Sequence, residues 1–134
     1  MSVNVTGSSN VSLTRTLPNT ATLSVDTSST ITNAGTVILT GSTATGRSAA
    51  MLGTGNGNTL VNTPTGVITT TGGQNDGMAI NGNNGSLTNN GTITVSGPSA
   101  YGMTAAWRRT VRSPSSCKAT TTTLLTAATS RHAA

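Results

Sequence analysis

Short runs of alternating hydrophobic and polar residues are the clearest pattern in this sequence. In Thr92–Ser96 (TITVS), Ile93 and Val95 fall on one side of an extended chain and the hydroxyl side chains fall on the other. A period of two residues is typical of a β-strand with one buried face. Glycine and proline separate such runs, and no helical period appears between residues 30 and 106. We therefore predict an all-β protein.

Three segments of the chain repeat one another, beginning at Thr30, Thr59 and Ser86. Their starts are about 28 residues apart, within the range of periods that solenoid repeats show. The aligned columns are Ile31, Leu60 and Leu87; Asn33, Asn62 and Asn89; Gly35, Gly66 and Gly91; Val37, Ile68 and Ile93; Gly41, Gly72 and Gly97; Gly46, Gly77 and Gly102.

A repeat of this length with about three short strands predicts one turn of a right-handed parallel β-helix. Successive turns would pair in register about 4.8 Å apart, so corresponding side chains would stack and the asparagine column would form an amide ladder. On the third side we align Met78 with Met103 and place Arg47 in the same column. The expected core is Ile31, Val37, Leu39, Leu60, Ile68, Met78, Ile80, Leu87, Ile93, Val95 and Met103.

Three regions are expected along the chain. Residues 1–29 contain pairs of hydrophobic residues separated by one polar residue, and we interpret this region as a degenerate first turn. Residues 30–107 are the β-helix repeats. Residues 108–134 form a tail that holds five of the seven basic residues and no glycine. This tail is either a genuine basic, irregular or disordered extension or the product of a shifted reading frame. We also expect the whole to be a fragment of a longer solenoid that is marginally stable or aggregation-prone alone.

Composition limits the size of the hydrophobic core, and the first residues bear on how the chain would be exported. Hydrophobic residues are 33%, charged residues 7% and aromatic residues 1% of the chain, so only a thin aliphatic core is feasible. Cys117 is the only cysteine, which excludes an intrachain disulfide. The first residues have neither the basic nor the apolar region of a signal peptide, and we expect any export signal outside this sequence.

Few residues offer catalytic or metal-binding chemistry. Asp26 and Asp76 are the only carboxylates, and we interpret both as turn or edge residues, because glycoside hydrolysis normally needs a closely placed pair. His132 lies in the tail. The segment GGQNDGMAI at 72–80 has too few oxygen ligands for calcium, and the glycines of 53–57 lack the lysine of a phosphate-binding loop. We predict no catalytic, cofactor-binding or metal site, and no enzyme.

A basic cluster opens the tail at Trp107, Arg108, Arg109 and Arg112. Such clusters attract phosphate groups in general, but this one contains a single aromatic residue and no recognised motif. We expect no specific nucleic-acid binding.

The phrases ITNAGTV and LTNNGTITVSG, together with the Gly-Met pair after a short loop, resemble passenger-domain repeats of bacterial autotransporter adhesins. The resemblance implies an extracellular, surface-exposed or secreted protein with a structural or adhesive role. Its partners would be an unknown surface ligand or host receptor, the rest of a longer solenoid, and other copies through open β-edges. Two alternatives stay open: a fragment of a β-helical enzyme that acts on polysaccharide, and a non-functional truncated low-complexity product.

The two explanations of the tail predict different nucleotide sequences. If the frame is shifted, translation from the codon of Trp107 onward in another forward frame should resume N-x-G-T-I phrases. If no other frame contains such phrases, the basic tail is genuine. Sequencing this stretch and translating it in three frames decides between them.

Overall fold

Twelve β-strands make up the regular structure in the computed structural model, which describes residues 1–14, 20–41, 47–97 and 100–106. The predictions for residues 108–134 lie outside the described residues. The strands are β1 (Ser2–Val5), β2 (Asn10–Thr14), β3 (Ala21–Val25), β4 (Thr30–Asn33), β5 (Thr36–Thr40), β6 (Arg47–Thr54), β7 (Thr59–Asn62), β8 (Val67–Thr71), β9 (Gln74–Asn81), β10 (Ser86–Asn89), β11 (Thr92–Ser96) and β12 (Met103–Ala106).

These strands form a parallel β-helix, and none of the described residues is helical. Sheet A has the order β1-β4-β7-β10, sheet B has β2-β5-β8-β11, and sheet C has β3-β6-β9-β12. Each strand pairs in parallel with the strand three places along the chain, so three strands make one turn. The all-β solenoid predicted from the repeats is confirmed.

The hydrophobic columns stack as the alignment of the repeats predicts. Ile31 pairs with Leu60 and Leu60 with Leu87 in sheet A, while Val37, Ile68 and Ile93 pair in the same way in sheet B. Of the predicted core residues, the members in the second and third turns are fully or almost fully buried. Those in the fourth turn are half-buried, because β10, β11 and β12 have no strand on their other side among the described residues.

A polar residue interrupts one hydrophobic column of sheet B. Thr70 pairs with Leu39 on one side and Val95 on the other, and it is completely buried. Its hydroxyl donates a hydrogen bond to the carbonyl oxygen of Asn75 at 2.8 Å. This bond satisfies the hydroxyl, which explains how the core column accommodates it.

The alignment of Arg47 with Met78 was wrong. In sheet C, Arg47 pairs with Gln74, whereas Met51 pairs with Met78 and Met78 pairs with Met103. The connection between β5 and β6 is four residues longer than the connection between β8 and β9, which shifts the register by the same amount. Met51 therefore fills the column that the sequence alignment gave to Arg47, and it is fully buried.

Sheet C bends in the middle of its strands. Ala50 and Met51 are consecutive in β6, yet both are fully buried and belong to the hydrophobic core. A regular strand cannot direct two consecutive side chains to the same face, so the chain must turn between them. Gly77 is the counterpart of Ala50 in β9, and a Cβ there would collide with the Ile93 side chain of sheet B. The bend therefore requires a small residue at the position that Ala50 and Gly77 occupy.

Asparagine side chains form a ladder at the corner between sheets A and B. Asn33 Nδ2 donates to Asn62 Oδ1 at 2.8 Å, and Asn62 Nδ2 donates to Asn89 Oδ1 at 2.8 Å. The ladder begins at Asn33, because the paired residue in the first turn is Val5. Asn62 also bonds the carbonyl oxygens of Gly66 and Thr92. These bonds tie the corner of each turn to the turn beside it.

The ladder explains why a glycine follows the asparagine at this corner in each of the three repeats. A Cβ at Gly66 would collide with the Asn62 side chain and with the carbonyl oxygen of Asn33. A Cβ at Gly91 would collide with the carbonyl oxygens of Thr63 and Gly66. The stacked amides and the chain that turns around them leave no room for a side chain.

Replacement of a core isoleucine tests which side chains of sheet B point into the core and which point outward. Ile68 is fully buried, so Ile68→Ala should lower the free energy of unfolding by about 2–5 kcal/mol. Ile38 lies on the outer side of β5 and is half-buried, so Ile38→Ala should cost under about 1.5 kcal/mol. Equal losses for the two variants in chemical denaturation would contradict the assignment.

The variant Asn62→Asp tests the amide ladder. A carboxylate at this buried position cannot donate to Asn89, and burial raises its pKa above the value of about 3.9 in the unfolded chain. A raised folded-state pKa means that stability is greatest below about pH 4 and falls as the pH rises. At neutral pH we expect a loss of about 3 kcal/mol or more.

The control for this variant is Asn90→Asp, because Asn90 is the exposed neighbour of the ladder. Unfolding curves should show little pH dependence for the control. A pH-independent stability for Asn62→Asp would contradict the ladder.

Candidate functional site

A cleft of about 510 Å³ lies on the outer, concave side of the bend in sheet C. Strands β6, β9 and β12 supply most of its surface, and Thr20, just before β3, contributes at one end. Because these strands are paired in register, side chains from successive turns lie side by side along the cleft. The lining residues are Thr20, Arg47, Ser48, Ala49, Leu52, Thr54, Asp76, Ala79, Ile80, Asn81 and Thr104.

Asp76 is the most enclosed charged residue of the cleft, with a side chain only 3% exposed. Its carboxylate accepts hydrogen bonds from Arg47 Nη2 at 3.1 Å, from the backbone N–H of Tyr101 at 2.9 Å and from the hydroxyl of Thr104 at 2.8 Å. Both carboxylate oxygens are engaged, since Arg47 and Tyr101 bond Oδ1 and Thr104 bonds Oδ2. These three donors compensate the carboxylate for the contacts with water that it loses on burial.

Arg47 lies at the mouth of the cleft, with 45% of its side chain exposed. Its guanidinium group stacks over the ring of Tyr101, with 4.6 Å between the central carbon and the ring centroid. Nη2 approaches both oxygens of Asp76, and the guanidinium fork has five N–H donors in all. The charged pair thus joins the second, third and fourth turns through contacts beyond the hydrogen bonds between paired strands.

The interpretation of Asp76 as a turn or edge residue was wrong. It lies inside β9, in the part of the strand that precedes the bend. Asp26 does lie in a turn, where its carboxylate accepts a hydrogen bond from the backbone N–H of Thr27 at 2.7 Å. The partners that enclose Asp76 come from the turns on either side of it, and the local sequence does not show them.

The two carboxylates of the chain do not form a pair. Asp26 follows the C-terminal end of β3, whereas Asp76 precedes the bend of β9, two turns away. The rise of the strand and the spacing of the turns place them more than about 10 Å apart. Carboxyl groups that hydrolyse glycosidic bonds as a pair are about 5–9.5 Å apart.

Two other segments considered from the sequence contribute lining residues to the cleft: Ala79 and Ile80 come from the calcium-like segment, and Thr54 comes from the glycine-rich segment. Residues 74–81 of the calcium-like segment form β9, and no group of three His, Cys, Asp or Glu side chains occurs among the described residues. The glycines of 53–57 end β6 and form the turn after it. His132 and the basic cluster that begins at Trp107 lie outside the described residues. Within the described ranges, no helix is long and apolar enough to span a membrane.

Sequence reasoning missed that Arg47, Asp76, Tyr101 and Thr104 meet. One signal was present: Arg47 and Asp76 are the only charged residues of the repeat region, and they are 29 residues apart, about one repeat. The contact follows from aligning Met51 with Met78. The longer connection before β6 concealed that alignment.

Comparison with known proteins gave no further assignment. No protein-family model, no curated protein and no solved structure matches this chain.

Removal of each carboxylate in turn tests whether Asp76 holds the turns of sheet C together. Asp76→Ala leaves the N–H of Tyr101 and the hydroxyl of Thr104 without their acceptor, and should lower the free energy of unfolding by about 1–3 kcal/mol. Asp26→Ala is the control, because Asp26 is exposed, and it should cost under about 1 kcal/mol. Equal effects in urea unfolding would contradict the role of Asp76.

Proposed function

We propose that this chain is part of a bacterial surface-exposed or secreted β-helical protein of the autotransporter passenger type, with a structural and adhesive role. The observation that carries the proposal is the chemistry of the outer faces of sheets A and B. Their outward positions are Ser2, Asn4, Thr30, Thr32, Thr59, Val61, Ser86 and Thr88 in sheet A, and Asn10, Ser12, Thr14, Thr36, Ile38, Thr40, Val67, Thr69, Thr71, Thr92, Thr94 and Ser96 in sheet B.

None of these positions carries a charge, and most carry a hydroxyl group. Because the strands are parallel and in register, the hydroxyls form columns with a spacing of about 4.8 Å. Such an array offers many hydrogen-bond donors and acceptors without a strong electrostatic field. It suits repeated polar contact with another neutral surface.

The architecture also suits a spacer. Each additional turn lengthens a parallel β-helix by about 4.8 Å while the cross-section stays the same. A repeated sequence of this kind can therefore present a binding surface at a distance from the cell that displays it.

The alternative of a polysaccharide-acting enzyme receives less support. Asp26 and Asp76 are far apart, and Asp76 is buried with hydrogen bonds to both of its carboxylate oxygens. A general acid or nucleophile would have to reach a substrate from that position, and the surrounding donors oppose this.

Surface display tests the proposal. The full chain is displayed on the surface of a non-adherent bacterium through a heterologous export system. The bacteria that adhere to cultured epithelial cells are then counted. Adhesion should exceed that of the same strain displaying an unrelated chain. Thr40→Lys together with Thr94→Lys places two charges on the outer face of sheet B and should lower adhesion severalfold.

The matched control is Ser8→Lys together with Asn83→Lys, because both residues are exposed and lie in turns outside the three sheets. Adhesion no greater than that of the unrelated chain would contradict the adhesive role. Release of reducing ends from a plant or bacterial polysaccharide by the purified chain would favour the enzyme instead.

A further inference from the structure

We propose that the cleft on sheet C binds a neutral saccharide unit. This inference rests on the proposed adhesive function and names the chemical class of one ligand. The cleft, at about 510 Å³, is within the range of roughly 300–1,000 Å³ that small-molecule sites occupy. It is formed by paired strands rather than by loops, so its shape is fixed by the backbone hydrogen bonds of the solenoid.

The charges of the cleft favour a neutral ligand. Arg47 is already paired with Asp76, with 3.1 Å between their nearest atoms, so the pair carries no net charge. An anion would have to be desolvated beside a compensated guanidinium and close to a carboxylate, which is unfavourable. A cation would need a free carboxylate, and the oxygens of Asp76 are already engaged by Arg47, Tyr101 and Thr104.

The polar groups at the rim favour a ligand with several hydroxyls. Arg47 is half exposed, and Nη2 is the only nitrogen of its guanidinium group with a hydrogen bond within the described part of the chain. The remaining N–H donors are suited to two neighbouring hydroxyl oxygens. The hydroxyls of Thr54 and Thr104 donate to Val25 and Asp76 respectively, so their oxygens remain able to accept hydrogen bonds from a ligand.

The floor of the cleft is apolar, which suits the C–H face of a sugar ring. Ala49, Leu52 and Ala79 lie on adjacent strands there, with Thr104 beside Ala79 in the last turn. The two alanines are small, and this keeps the concave side of the bend open. A ligand with an apolar face and a polar edge satisfies both the floor and the rim, whereas a purely apolar ligand would desolvate the guanidinium without bonding it.

The test is a titration of the full-length, isotope-labelled chain with a panel of sugars, followed by two-dimensional NMR of its backbone amides. The probes are glucose, galactose, mannose, N-acetylglucosamine, lactose and cellobiose, with glucuronate and N-acetylneuraminate as anionic counterparts. We expect saturable shifts for at least one neutral sugar, confined to β6, β9 and β12.

Variants locate the site. Ala79→Phe fills the cleft and should abolish the saturable shifts, whereas Val61→Phe places the same side chain on the outer face of sheet A in the same turn and should leave them intact. Arg47→Lys keeps the charge opposite Asp76 but loses the fork of donors, so it should weaken binding roughly tenfold.

Several outcomes would overturn the inference. These are the absence of saturable shifts with every neutral sugar, a response to the anionic sugars alone, or unchanged binding by Ala79→Phe. The two proposals fail separately. Cell adhesion without sugar binding would refute the cleft as the site, and sugar binding without cell adhesion would refute the adhesive role alone.

Discussion

The pairing of each turn with the next through parallel backbone hydrogen bonds is the interaction on which this structure depends. It stacks identical or similar residues in columns, so a small set of aliphatic side chains forms a continuous core despite the low hydrophobic content of the chain. The same stacking buries backbone and side-chain polar groups at the corners between sheets, and burial without a hydrogen bond would be unfavourable. The amide ladder of Asn33, Asn62 and Asn89 supplies such hydrogen bonds, because each side chain bonds both its neighbour and the turning backbone.

The sequence predicted sheets A and B closely, because the asparagine, the glycine and the hydrophobic alternation recur in the same order in each repeat, with only two extra residues before Gly66. It predicted sheet C poorly. The connection before β6 is longer than its counterpart before β9, and the bend places Ala50 and Met51 in the core together. Neither feature follows from a two-residue period. The environment of Asp76 was missed as well, since it is set by this bend and by residues from two other turns.

The irregularity of sheet C is also where the chemistry of the chain is concentrated. The regular outer faces of sheets A and B carry hydroxyls and amides without charge, whereas the bend encloses Asp76, presents Arg47 beside Tyr101, and opens a cleft over Ala49 and Ala79. The regular repeat supplies uniform outer faces, whereas the irregular strands of sheet C bring different side chains together at one concave surface. The proposed adhesive surface and the proposed saccharide cleft thus use different parts of one scaffold.

The most direct measurement of the central claim is the contact pattern of the methionine methyl groups, since this pattern reports the register of sheet C. In a chain labelled at the methionine methyls, nuclear Overhauser effects should connect Met51 to Met78 and Met78 to Met103, because these residues are partners in adjacent strands. Met1 is 81% exposed and should show no contact with the three, which makes it an internal control. Absence of the contact between Met51 and Met78 would contradict the stacking of the turns.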